Sequence, residues 1–195
     1  MIVAGVDEAG RGPIAGPVVA AAAILTPPQF RVLRAEGLAD SKKLSERDRE
    51  RLFGRFGELG VQWAAQAASH RRIDRTNILA ATLWAMRRAL LALATVPDLV
   101  VVDGTIRVPD IALRQVTLPR ADGRVPAAMA ASIVAKVLRD RAMKGLHRLY
   151  PDYGLAKHKG YPTKSHRAAL DMLGPTPVHR LSFKGYNKTV PEGRG

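Results

Sequence analysis

The chain has 195 residues, 47% of them hydrophobic, which suits one packed core, alone or with a small appendage. It has no Cys, which excludes disulfides, a thiolate nucleophile and Cys-ligated zinc. The 31 Lys+Arg against 17 Asp+Glu give a formal net charge of +14, which points to a polyanionic partner, most often nucleic acid. A charged solubilising surface or a biased genomic composition is the plainer alternative. The excess is uneven. Residues 1–103 hold 14 basic and 11 acidic residues, a net of +3, and residues 104–195 hold 17 and 6, a net of +11. The apolar run from Val18 to Leu25 is too short to span a bilayer and follows no basic segment, so a soluble cytoplasmic protein is expected.

Residues 2–7 read as a strand, Gly10-Arg-Gly-Pro13 as a tight turn, and residues 17–25 as a second strand forming a hairpin with the first. Ser45, with Asp48 three residues on, caps a helix from about 46 to 57. Residues 60–68 read as a third strand. Thr76 is expected to cap a long helix to about Thr95, with Ile78, Leu79, Leu83, Met86 and Leu90 on one face and Pro97 ending it. Strands follow at 99–103 and 112–118. Pro126 opens a helix to about Tyr150, residues 151–162 read as a loop, and a short helix covers 163–173. Strands first, then alternating helix and strand, then helices, argue an α/β fold with a mixed sheet.

Two apolar, β-branched runs end on acids: Ile2–Val6 leads into Asp7-Glu8, and Leu99–Val102 into Asp103. Runs of this kind read as strands buried on both faces. A carboxylate at such a strand end is half out of water and costly to leave unpaired. Two of them suggest a shared cation and metal-dependent chemistry, although a solvated turn is the ordinary reading of an isolated Asp-Glu pair.

Gly10-Arg-Gly-Pro-Ile-Ala15 formally matches a dinucleotide fingerprint, but Pro13, Gly16 and Pro17 lead into a strand where that motif needs a helix. It is either a plain turn or a place where backbone comes close to a ligand, such as a ribose 2′-OH. Lys42 and Lys43 precede a helix N-terminus and suit a phosphate, or else an exposed loop. Ser132, Lys136 and Asp140 share a helix face beside Arg139, which fits phosphate contacts or an ordinary Lys136–Asp140 pair. Tyr150 through His166 interleaves aromatic and basic residues, as a nucleic-acid groove would. Its histidines lack zinc spacing.

Together these segments resemble the bacterial type 2 ribonuclease H family, ribonuclease HII. The matching pieces are Gly5-Val-Asp-Glu-Ala-Gly-Arg-Gly-Pro13, Ala15-Gly-Pro-Val-Val-Ala-Ala-Ala22, Asp40-Ser-Lys-Lys-Leu-Ser45 and Val102-Asp-Gly104. Ala131 to Asp140, Tyr150 to His166 and His179-Arg-Leu-Ser-Phe183 complete the family's order over almost the whole chain. The resemblance implies an RNase H-like fold, a mixed sheet flanked by helices, with a helical C-terminal region. It implies one catalytic domain over residues 1–184, whose part from about 145 to 184 helps hold substrate, and a flexible basic tail over 185–195.

It further implies cleavage of the RNA strand in RNA–DNA hybrids, and at single ribonucleotides in duplex DNA, leaving 3′-hydroxyl and 5′-phosphate ends. Four carboxylates, Asp7, Glu8, Asp103 and Asp122, are implied as ligands of Mg2+ or Mn2+, two ions acting during catalysis. Asp122 departs from the family pattern, lying in Arg120-Ala-Asp-Gly123 where Lys-Gly-Asp or Lys-Ala-Asp is usual. Pro126-Ala-Ala-Met-Ala130 also replaces more polar residues usual there. Gly10, Arg11 and Gly12 correspond to the turn that reads the 2′-OH, and Tyr161 to the tyrosine that stacks at the ribo–deoxy junction. Lys42, Lys43, Ser132, Lys136 and Arg139 are candidate substrate contacts, Asp140 a reserve acid, and a monomer is expected. A basic binding module without catalysis, and a resolvase- or transposase-like nuclease of the same fold, are the rival classes.

Overall fold

The computed structural model describes residues 1–183, so the tail expected over 185–195 lies outside the described residues. Five strands form one sheet: β1 (Val3–Ala9), β2 (Val18–Ile24), β3 (Gln62–Ala68), β4 (Leu99–Asp103) and β5 (Gln115–Leu118), in the order β3-β2-β1-β4-β5. β1–β2 and β2–β3 pair antiparallel, whereas β1–β4 and β4–β5 pair parallel, so the sheet is mixed and the expected hairpin is present. Seven helices accompany it among the described residues: α1 (Pro27–Ala35), α2 (Glu46–Glu58), α3 (His70–Arg75), α4 (Ile78–Leu91), α5 (Pro126–Leu149), α6 (Leu155–His158) and α7 (Lys164–Leu173). None of these helices is long and apolar enough to cross a membrane.

The sheet is covered on both faces, which is why β1, β2 and β4 read as continuous apolar runs. Ala20 and Ala22 of β2 point into a core with Val6, Val102, Ala85 and Met86, under α4. Ala21 and Ala23 point the other way, into a core with Leu52, Phe56, Ile133 and Val134, under α2 and α5. Small side chains on β2 let both helices come close. Backbone comes closest to backbone at Gly5 of β1, where an added Cβ would lie 2.2 Å from the backbone nitrogen of Ala128. Backbone meets backbone there, so no side chain can yield.

Local signals account for most boundaries, with several departures from expectation. The Ser45 cap of α2 is present, its hydroxyl accepting from Asp48 N at 3.1 Å. Thr76 does not cap α4. It ends α3, donating its hydroxyl to Arg72 O at 2.9 Å, and Asn77 caps α4 by accepting from Ala80 N at 2.8 Å. The buried face of α4 is accordingly Ala81, Thr82, Ala85, Met86, Ala89 and Leu90, while Leu79 is exposed. That helix stops at Leu91, short of Thr95. α1 and α3 were not expected, although Thr26 makes a full capping box with Gln29 behind two prolines. β5 starts three residues later than expected, and two short helical turns, at Pro151–Tyr153 and in α6, interrupt the expected 151–162 loop.

A third cluster, of Ile14, Ala15, Met143, Tyr153, Leu155 and Leu170, joins the C-terminal helices to the segment between β1 and β2. Residues 176–183 then run back as a strap. Gly16 N donates to Val178 O and Arg180 N to Ile14 O, while Asp74 accepts from the backbone of Leu181 and Ser182.

The Gly5 contact has a measurable consequence. Gly5→Ala should cost about 3 kcal/mol, the upper end for overpacking, because neither backbone can move aside. Urea unfolding of the variant beside the wild type checks this.

Candidate active site

Parallel pairing of β1 with β4 sets Val6 beside Val102, so the next residues, Asp7 and Asp103, emerge together where β4 ends, while β1 runs on past the expected residue 7 to Ala9. Asp7 points inward and is buried, and Glu8, one residue on, takes the opposite direction and is half-buried. Asp103 does a second job. Its Oδ1 accepts from Ala121 N at 2.9 Å and so pins the short turn Ala121–Gly123 that carries Asp122. Arg120, in the left-handed region at φ 60°, bends the chain into that turn. Asp7, Asp103 and Asp122 thereby each offer an oxygen within 4.8 Å of the others.

Such a cluster is electrostatically costly. Burial, then the nearby charges of Glu8 and Asp103, hold the Asp7 carboxyl well above the usual range. Burial raises Glu8, against the opposing pull of Arg11, whose Nη1 stands 3.5 Å from Glu8 Oε1. Burial likewise raises Asp103. One cation of the chain answers the cluster directly: Lys42 Nζ donates to Asp122 Oδ2 at 2.7 Å, and this bond raises the Lys42 ammonium. Asp40 sets Lys42 there by accepting from its backbone N–H at 2.9 Å. Three hard oxygen donors so placed fit Mg2+ or Mn2+ rather than a softer metal.

The acids floor a cavity of about 250 Å3, lined by Asp7, Glu8, Ala9, Gly10, Arg11, Gly12, Ser41, Lys42, Asp103, Ser132, Lys136, Arg139 and Tyr161. Most residues singled out in the sequence therefore converge on one place. Lys43 and Asp122 do not line it: Lys43 is exposed on the surface, and Asp122 is buried beside the cavity, where it receives Lys42. Ser132 lines it, but its hydroxyl is shared with Ser41, a residue the sequence reading did not select. Arg139 is buried and works as a pin: Nε donates to Pro17 O at 3.2 Å and Nη2 to Lys159 O at 2.9 Å, beneath the Tyr161 ring. Those bonds leave it poorly disposed for the phosphate contact expected of it. Asp140 is buried between Lys136 at 2.8 Å and Arg49 at 3.5 Å, which makes it a structural acid. Gly10, at φ 100°, is irreplaceable on two counts, since a Cβ there would also meet Arg139 Nε at 1.9 Å.

The loop bearing Tyr161 rests on three histidines that spacing did not reveal. His166 Nδ1 donates to Tyr161 O at 2.9 Å, and its Nε2 accepts from His179 Nε2 at 3.1 Å. His179 Nδ1 in turn accepts from Thr176 N at 2.9 Å. His158 stacks on His166 at 4.2 Å between ring centres. Every ring here serves as a neutral imidazole, and burial, then His166, holds His179 down to about 4.

A mixed sheet with helices on both faces, and carboxylates gathered where two adjacent parallel strands end, is the RNase H-like fold carrying the acidic site of a metal-dependent nuclease. Comparison with known proteins narrows this. The family model for ribonuclease HII matches residues 4–186. A ribonuclease HII of Azoarcus sp. (strain BH72) is 51% identical over 182 residues, covering 93% of this chain and 87% of the relative. Among solved structures, ribonuclease H2 of Pyrococcus horikoshii OT3 superposes with a TM-score of 0.78 at 28% identity, over 95% of each chain. The RNase HII of Archaeoglobus fulgidus, solved in complex with PCNA, gives 0.79 at 27% identity, over 97% of this chain and 98% of that one. The chain belongs to the ribonuclease HII family. It is thus a ribonuclease H, a metal-dependent endonuclease whose class acts on RNA–DNA hybrids.

Two outcomes follow from the charges. Because the folded Asp7 is protonated more readily than the unfolded one, the metal-free protein loses stability as pH rises above the ordinary carboxylate range. Asp7→Asn should raise the metal-free melting temperature at neutral pH by about 2–4 °C, as ~1 kcal/mol of relieved burial and repulsion would at this size, while calorimetric Mn2+ binding is lost. His179 behaves oppositely. The unfolded chain takes up its proton near 6.5 and the folded chain only near 4, so stability falls as pH drops between those values. Thermal melts at stepped pH should show this, and His179→Asn should flatten the slope while lowering the melting temperature at neutral pH.

Proposed function

We propose that this enzyme cuts the RNA strand of RNA–DNA hybrids, and single ribonucleotides embedded in duplex DNA, leaving 3′-hydroxyl and 5′-phosphate ends. The observation that supports the reading is that Asp7, Glu8 and Asp103, the Gly10–Gly12 turn and the Tyr161 ring line a single cavity, with Asp122 completing the acidic cluster beside it. Asp7, Asp103 and Asp122, with Glu8 beside them, would hold the divalent ions, Mg2+ or Mn2+. Bound there, such ions supply the charge that stabilises the leaving oxygen and the acidity that readies a water for attack.

The remaining roles belong to the chain itself. Lys42 and Lys136 both line the cavity and suit the phosphates flanking the scissile bond. The Gly10–Gly12 turn brings backbone, free of bulky side chains at the two glycines, close to a ribose 2′-OH. Tyr161 is 43% exposed over the cavity and offers a face on which the sugar or base at the ribo–deoxy junction can rest. The part from about 145 to 184 grips the duplex, within one catalytic unit spanning 1–184. Action as a monomer in the cytoplasm, in removing ribonucleotides from DNA, belongs to the same reading.

A labelled duplex carrying one ribonucleotide, beside an all-DNA duplex, with Mg2+, Mn2+ or EDTA, tests it. A metal-dependent nick on the 5′ side of the ribonucleotide, absent from the all-DNA control, is expected. Asp103→Asn should bind the same duplex within a few-fold yet cut at least about 100-fold more slowly, the scale of losing one charge-stabilising group. Binding without any nick in either metal would leave a basic binding module instead.

A further inference from the structure

The Gly10–Gly12 turn needs a reason to present its N–H groups rather than its carbonyls to the cavity. Arg180 supplies one. It is wholly buried, 170 residues away in sequence from Gly10. Its Nη2 donates to Gly10 O at 2.7 Å, its Nη1 to Arg11 O at 3.0 Å and its Nε to Gly16 O at 3.0 Å. Its own backbone is fixed to the same segment, Arg180 N donating to Ile14 O at 2.8 Å.

Peptide planarity turns these contacts into a direction. Every peptide bond among the described residues is trans, so the C=O of Gly10 and the N–H of Arg11 point opposite ways across one plane. The same holds for the C=O of Arg11 and the N–H of Gly12. With both carbonyls drawn inward to one guanidinium, both N–H groups turn away from it, and the residues bearing them line the cavity. Neither N–H makes a hydrogen bond among the described residues. Arg139 packs against Gly10 as well, its Nε 1.9 Å from where a Cβ would lie while it donates to Pro17 O.

We infer that Arg180 is the positioning residue for ribose recognition: it aims the Arg11 and Gly12 amides at the substrate 2′-oxygen without touching substrate itself. This rests on the reading above that the turn meets the ribose. A lysine keeps the charge but cannot bridge three carbonyls with a rigid planar fork.

The test uses full-length protein in EDTA, where labelled duplexes bind without being cut. The wild type should bind a duplex with one ribonucleotide more tightly than the same duplex in all-DNA form. Arg180→Lys should lower that preference about tenfold, the scale of loosening two hydrogen bonds. Its affinity for all-DNA duplex and for Mn2+ should stay within about twofold of wild type, since the phosphate grip and the acids are untouched. Equal weakening on both duplexes, or an unchanged preference in a folded variant, would overturn the inference and leave Arg180 a structural residue. A second readout needs no variant. In 15N–1H spectra the Arg11 and Gly12 amides should shift with the ribonucleotide duplex and not with all-DNA, and amides indifferent to the ribonucleotide would sink it. A wild type without any preference would instead remove the ribose reading beneath it, a failure that cleavage of the ribonucleotide duplex reports separately.

Discussion

The parallel pairing of β1 with β4 is the constraint on which this molecule is built. Two strands buried on both faces run side by side, and each carries an aspartate at the level where β4 ends. Burial and mutual repulsion make these acids harder to ionise than isolated carboxylates. The fold meets this cost by packing α4 and α5 tightly on the sheet, to the point where backbone touches backbone at Gly5 and Ala128. Stability sits in the layers, and the strained chemistry sits at their edge.

Around that edge, control passes outward through a series of contacts that each fix the next. Asp103 pins the turn bearing Asp122. Asp122 receives Lys42, which Asp40 has already oriented. On the other side Arg139 braces Gly10 and the Lys159 carbonyl, while the histidines hold the carbonyl of Tyr161. A site assembled from loops is in this way made as stiff as one built on strands, because its loops are tied to buried side chains rather than left to solvent.

What could be read in the sequence follows the same division. Asp7, Glu8 and Asp103 were legible because a buried strand writes an apolar run and an acid at its end breaks the pattern. The long helix after Pro126 and the cap at Ser45 were legible for similar local reasons. Asp122 carries no such mark: it sits on a single irregular turn, and only resemblance to a family pointed to it. Thr76 and Asn77 are both good caps, and neighbouring helices one after the other made the choice between them invisible locally. Arg139 and Asp140 read as a phosphate contact and a partner of Lys136, because a helix face alone does not say that the turn at Lys159 and a second helix will bury it. The histidines, spread from 158 to 179 without period, meet only because the C-terminal segments fold back.

That returning strap also sets an order of events. The turn after β1 is among the first parts of the chain to be made, yet the guanidinium that holds its carbonyls belongs to residue 180. A growing chain can pair β1 with β2 and even with β4 long before the last piece of its recognition loop exists. Shape therefore comes before selectivity during synthesis, and a chain cut short ahead of residue 180 could keep its acids together while losing the arginine that holds the turn.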